Sequence, residues 1–279
     1  MEEQNVNHRR WDELAPDALG LIFGRLSLEE LLMVMPSVCK SWENVVKGSY
    51  CWQEININDW CYDSTPEKID RMVRMLINRS DGCMRKLSVS NLCGNAIISF
   101  IADNASSLQM LELVRCDMTD EVLELEAEKF SSVTSLDLSY SYQIGARSLL
   151  AMGNSCPQLT SLSRKMHPTD IQNEVGQDDE ALAIANSMPN LRKLEISYLV
   201  VGTEAVMEII QKCRNLELLD LKGCWETWID HEELKLKFPN LKILEIKSDL
   251  DELYDSDSWD ESNDEGDEFE ENVVFFFFE

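Results

Sequence analysis

The stretch Leu216–Cys224 reads LELLDLKGC, and its pattern LxxLxL recurs through most of the chain. It returns as LQMLELVRC from Leu108, VTSLDLSYS from Val133, LTSLSRKMH from Leu159, LRKLEISYL from Leu191 and LKILEIKSD from Leu241. MRKLSVSNL from Met84 belongs with them, and WQEINI from Trp52 is a degenerate first member. From Met84 onward the spacings are 24, 25, 26, 32, 25 and 25 residues. Self-similarity at this period signals stacked units, because one unit of this size cannot bury its own apolar face. Within each unit the fourth and sixth positions point to one side of a short strand. Helical patches follow the strands: Thr203 is read as an N-cap for Val206, Ile209 and Ile210, and Asp230 with Glu233 as a capping box before Leu234. Pro66 opens the clearest amphipathic helix, with Ile69, Met72, Val73, Leu76 and Ile77 on one face.

The spacing and template are those of leucine-rich repeats. The units resemble the cysteine-containing subtype: Cys116 and Cys224 follow strands, and Cys156-Pro157-x-Leu159 and Cys213-x-x-Leu216 match its helix-end signature. This resemblance implies an α/β solenoid over residues 51–248, with about seven or eight repeats, parallel strands on the concave side and helices on the convex side. One repeat is long, so an insertion is expected near 165–177. Arg164 stands where an inward apolar side chain belongs. A buried, unpaired guanidinium is costly, so a distorted strand is expected there.

Upstream lies a second pattern. Leu19, Ile22, Phe23 and Leu26 form one helical stripe after Pro16. Ser27-Leu-Glu-Glu30 is a capping box opening a second stripe, Leu28, Leu31, Leu32 and Met35, which Pro36 is expected to break. Val38, Trp42, Val45 and Val46 make a third. Three helices in so few residues bury too little surface to fold unaided, so this apolar surface faces either the rest of the chain or a second protein. Gly20 and Gly24 weaken the first helix.

The ordered set Leu14-x-Pro16-x5-Ile22-Phe23-x2-Leu26-Ser27-Leu28-x2-Leu31-Leu32, then Val38-Cys39-Lys40-x-Trp42, resembles the F-box, over about residues 10–50. Glu43 departs from the basic residue that often follows the tryptophan. The resemblance implies a three-helix module that docks onto a Skp-type adaptor, and through it a cullin, using Leu14, Pro16, Ile22, Phe23, Leu26, Leu28, Leu31, Leu32 and Val38. The repeat arc would then hold a protein substrate for ubiquitination. The layout is similar to plant members of the family.

Composition narrows the remaining functions. The net charge is -27, and 14 of the 52 Asp and Glu lie between Asp249 and Glu279, where there is no Lys or Arg. Residues 249–279 are therefore read as a disordered acidic tail, ending in the apolar run Val273–Phe278. Such charge argues against binding nucleic acid or an anionic membrane surface. Nine scattered cysteines without a CxxC pair suggest neither a disulfide framework nor zinc, and no secretory signal is visible, so an intracellular protein of nucleus or cytoplasm is expected. His8, His167 and His231 lack ligand spacing, and no phosphate loop or nucleophile elbow is present. No catalytic residue, metal or cofactor is expected.

Recognition is expected on the solenoid. One outward column reads Asn56, Ser88, Glu112, Asp137, Ser163, Glu195, Asp220 and Glu245. The next reads Asn58, Ser90, Val114, Ser139, Lys165, Ser197, Lys222 and Lys247, whose lysines can neutralise the acids. Tyr140, Tyr142, Tyr198, Trp225 and Trp228 follow strands and fall on one rim, where exposed aromatics serve as binding anchors. The candidate substrate residues are these five with Glu112, Asp137, Glu195 and Asp220. An acidic leucine-rich chaperone or scaffold for basic proteins, outside any ligase, is the alternative function.

Overall fold

The computed structural model describes residues 11, 14–168 and 176–244. His8, Glu245, Lys247, the acidic stretch from Asp249, the Val273–Phe278 run and most of the insertion lie outside the described residues, as does the side chain of His231.

Eight short strands form one open, wholly parallel sheet in chain order. They are β1 (Glu54–Asn56), β2 (Lys86–Ser90), β3 (Met110–Val114), β4 (Ser135–Asp137), β5 (Ser161–Ser163), β6 (Lys193–Glu195), β7 (Leu218–Asp220) and β8 (Lys242–Leu244). The register follows the template: Ile55, Leu87, Leu111, Leu136, Leu162, Leu194 and Leu219 line up strand to strand. All seven are sealed in the core. β8 departs by one residue, so Leu219 pairs with Ile243, and Leu244 stands beside Asp220, where the template places Glu245.

Helices return the chain between strands: α4 (Asn58–Tyr62) and α5 (Pro66–Ser80), then α6 (Asn95–Asp103), α7 (Asp120–Glu126), α8 (Ala146–Ser155), α9 (Asp178–Ser187), α10 (Thr203–Lys212) and α11 (His231–Lys237). Strands stack about 4.8 Å apart, whereas packed helices need about 8–10 Å. That mismatch, repeated unit by unit, puts the sheet on the inside of an arc. The post-strand cysteines and helix-end cysteines are structural. Cys156, Cys213 and Cys224 each donate S–H to a carbonyl of the preceding repeat, at Phe130, Met188 and Ile196, over 3.2, 3.3 and 3.2 Å. Burial pushes the Cys116 and Cys156 thiols up to about 12, so neither is a thiolate at neutral pH.

Five of the strands, β2, β3, β4, β6 and β7, end in the same sharp turn. Asn91, Arg115, Tyr140, Tyr198 and Gly223 occupy equivalent positions and all take a positive φ. At Gly223 a side chain is excluded on a second ground, since a Cβ would collide with the Tyr198 ring lying against it.

Arg164 overturns the expectation of a distorted strand. β5 keeps full register with β4 and β6. The guanidinium points inward, 1% exposed, and is paired. Its Nε donates to Glu180 Oε2 at 2.9 Å and its Nη2 to Ile144 O at 2.8 Å. Glu180 lies in the first turn of α9, just past the insertion, and also accepts from Gln177 Nε2 at 3.1 Å. The long repeat thus supplies the carboxylate that makes a buried arginine tolerable.

The amino-terminal module contains α1 (Pro16–Phe23), a π-helical turn (Glu30–Val34) running into α2 (Met35–Val38), and α3 (Lys40–Lys47). The capping box forms in both directions: Glu30 N donates to Ser27 Oγ at 3.2 Å, and Ser27 N to Glu30 Oε2 at 3.0 Å. Pro36 does not break the second helix. The wide turn before it, closed by Met35 N onto Glu30 O, absorbs the clash and missing donor that proline brings to regular helix. Gly20 is a packing residue, because a Cβ there would meet Tyr50 Cβ at 2.6 Å. Trp52 fastens the module to the first repeat: it is buried, donates to Val46 O at 2.7 Å, and carries the Arg79 guanidinium over its ring at 5.6 Å.

Candidate adaptor face and substrate face

The helical stripes divide the module's apolar side chains into two sets. Leu19, Val45 and Val46 pack inward, and Phe23 meets Trp42 edge-on at 5.1 Å between centroids. Phe23 and Leu31, 2% and 5% exposed, belong to this inner set. That corrects their assignment as adaptor contacts: they hold the module together and have no surface to offer. Leu26, Leu28 and Leu32 are half-buried against the core, while Leu14, Pro16, Ile22 and Val38 face out. Three outward residues escaped the periodicity: Leu21 at 78% exposed, Met33 at 72%, and Val34. Each lies off the stripe that defines its helix. An apolar residue off the stripe was the available signal, since it marks a second greasy face. Leaving such side chains in water forgoes roughly 1.5–3 kcal/mol each.

On the sheet face the acids are largely neutralised from within. Glu112 accepts from Ser88 Oγ at 2.5 Å and pairs with Lys86 at 3.2 Å. Glu195 accepts from Ser163 Oγ at 2.7 Å and pairs with Lys165 at 3.1 Å and Lys193 at 2.6 Å. Burial opposes the charge on Glu195, but the hydrogen bonds from Lys193, Ser163 and Lys165 outweigh it and hold the carboxyl at about 2. Asp220 takes the Lys222 backbone N–H at 3.0 Å and lies 3.7 Å from its ammonium. Asp137 has no lysine or arginine within salt-bridge distance among the described residues. It accepts from Ser139 N at 2.9 Å, and burial raises its carboxyl above the ordinary range.

The rim aromatics separate by depth. Tyr140 and Tyr198 are half-buried at the sharp turns, with the Arg115 guanidinium 5.2 Å from the Tyr140 ring centre. Tyr142, Trp225 and Trp228 are exposed. Thr203, read as an N-cap, serves otherwise. Gly202 caps α10, and the Thr203 hydroxyl accepts from Trp228 N at 2.8 Å and donates to Trp228 O at 3.3 Å. Asp230 does cap α11, accepting from Glu232 N and Glu233 N, but Glu233 pairs with Lys237 instead of completing a box. No group of three His, Cys, Asp or Glu among the described residues could hold a metal ion, and none of the helices there is long and apolar enough to cross a membrane.

A three-helix module with an apolar outer side, leading without a linker into a parallel-strand solenoid, is the architecture of F-box adaptors built on leucine-rich repeats. The F-box domain model matches residues 11–54. F-box protein FBW2 of Arabidopsis thaliana is 49% identical over 243 residues, covering 87% of this chain and 77% of that protein. F-box protein SKIP1 of the same plant is 32% identical over 248 residues, covering 80% and 81%. Putative F-box/LRR-repeat protein 23, also from Arabidopsis thaliana, is 32% identical over 251 residues, covering 88% of this chain and 55% of its own length. The chain belongs to the F-box/leucine-rich-repeat family.

Proposed function

We propose that this chain is the substrate-receptor subunit of a Skp–cullin–F-box ubiquitin ligase. Its F-box docks onto a Skp-type adaptor, the adaptor joins it to a cullin, and the repeat arc holds the protein to be ubiquitinated. The observation that carries this reading is the unspent apolar surface of the module, with Leu21, Met33, Val34 and Val38 in water while its own core is already closed. Val34 and Val38 lie one turn apart on one helix side, as a helical partner requires.

The receptor does no bond chemistry in this reading. It fixes a target lysine near an activated ubiquitin and so raises the effective concentration of the two groups. A stiff solenoid suits that role, because repeats that each grip their neighbour transmit position along the arc.

The test is a binding measurement with purified Skp-type adaptor. Leu21→Asp with Met33→Asp places charges on two exposed positions and leaves the core untouched. Adaptor affinity falls at least about 100-fold if two buried side chains at roughly 1.5–3 kcal/mol each are lost. The variant keeps the circular dichroism and unfolding midpoint of the parent. Full adaptor binding by the folded variant refutes the proposal.

A further inference from the structure

We propose, resting on the receptor reading above, that Trp225 and Trp228 form the anchor for a cationic, lysine- or arginine-bearing segment of the substrate protein. Both indoles are in water, 50% and 76% exposed. They sit on a loop that is nonetheless pinned. The Thr203 hydroxyl holds both backbone polar groups of Trp228, and Thr227 Oγ1 donates to Val201 O at 2.7 Å. Gly223, at the loop's start, is seated beneath the Tyr198 ring. A rigid loop that presents large aromatics loses little freedom when a partner covers them.

Charge decides the partner. Gly202 N donates to Asp178 Oδ1 at 2.7 Å, and Gly202 precedes the threonine that grips Trp228. Glu226 and Asp230 flank the indoles along the exposed loop, Glu204 follows Thr203 in the chain, and Asp178 is bonded to the residue before Thr203; all four are exposed. None of the four has a lysine or arginine partner among the described residues. The contrast with the sheet face is informative. There Glu112, Glu195 and Asp220 each have a lysine beside them. Three of the four sheet acids thus have a lysine at hand, whereas the acids beside the tryptophan loop have at most backbone N–H partners and no cation beside them among the described residues. An indole face also favours ammonium and guanidinium groups over neutral ones. The surface thus matches a basic peptide segment and repels an acidic one.

The experiment uses the full chain and a fluorescein-labelled peptide of glycine, serine and four arginines, read by anisotropy near physiological salt. Controls are the same peptide with arginines replaced by glutamine or by glutamate. Trp225→Ala with Trp228→Ala leaves the net charge unchanged. Asp178→Asn, Glu204→Gln and Glu226→Gln together leave the indoles unchanged. The arginine peptide binds the parent, and each variant weakens it at least about tenfold. The control peptides fail to bind. Equal binding by the tryptophan variant means capture by overall charge alone and overturns the proposal. So does equal binding of the glutamine peptide, or no binding by the parent. Adaptor binding, measured on the same samples, stays at the parent level in both variants. Loss of adaptor binding in the parent itself sinks the receptor reading and leaves the peptide result standing.

Discussion

Removing the Glu180 carboxylate should damage this solenoid more than any single apolar truncation on its surface. Arg164 is 1% exposed, and its guanidinium is held by Glu180 at 2.9 and 3.3 Å, by Ile144 O at 2.8 Å and by Leu138 O at 3.4 Å. Glu180→Ala deletes the only counter-charge in contact with it among the described residues. The carbonyls that remain supply dipoles but no charge. Breaking one half of a buried pair costs about 3–5 kcal/mol, because the surviving ion stays desolvated. Arg164→Met with Glu180→Leu removes both ions and fills their space. That double variant should lie within about 2 kcal/mol of the parent, with the two stranded carbonyls offsetting the recovered desolvation. Urea unfolding of the parent, Arg164→Met, Glu180→Leu and the double completes the cycle, with an expected coupling of at least about 2 kcal/mol. Amide exchange locates the loss: in a chain of nearest-neighbour units, protection should drop first in β5, α9 and the repeats touching them. A Glu180→Ala variant losing under about 1 kcal/mol would show that the guanidinium reaches water, and the reasoning would fail.

Two further outcomes follow from local geometry. Gly223→Ala meets both a positive φ and the Tyr198 ring, and should cost about 1–3 kcal/mol in urea unfolding, part of it recovered when Tyr198 is also replaced by Ser. Glu195 has its carboxyl held at about 2, below its ordinary 4.5, so its contribution is complete above 4.5 and is lost as pH falls from there toward 2. Glu195→Gln should accordingly lose less stability over that interval than the parent does, and an identical acid profile for the two would contradict the hydrogen-bonding described for this carboxylate.

The repeats were legible because each LxxLxL segment states its own strand, and a one-residue slip would turn Leu136 or Leu194 outward. The helical period of the F-box placed Leu19, Phe23 and Leu31 on stripes, but did not show that Phe23 and Leu31 face the module's own core instead of an adaptor, because an inner and an outer stripe share one period. Nor could periodicity show the role of residues outside it. Leu21 and Met33 break the stripes, so their outward position needed the fold. Arg164 read as an error in the template because its partner, Glu180, lies 16 residues on, across the insertion. Pro36 read as a stop because proline normally ends a helix, and a π turn leaves no mark in the apolar pattern. Thr203 has the chemistry of a cap, yet its hydroxyl is used between repeats, to fix Trp228.

The one-residue offset of β8 bears on self-association. Seven strands share a single alignment, so a sheet edge that kept it would be a template for the first strand of another copy. Because Ile243 rather than Leu244 carries the inward position of β8, a strand arriving in the template alignment would set its inward residue opposite Leu244, and its inward and outward side chains would be exchanged unless it shifted by one residue. Among the described residues, that end of the sheet accepts the first strand of another copy only after a one-residue shift.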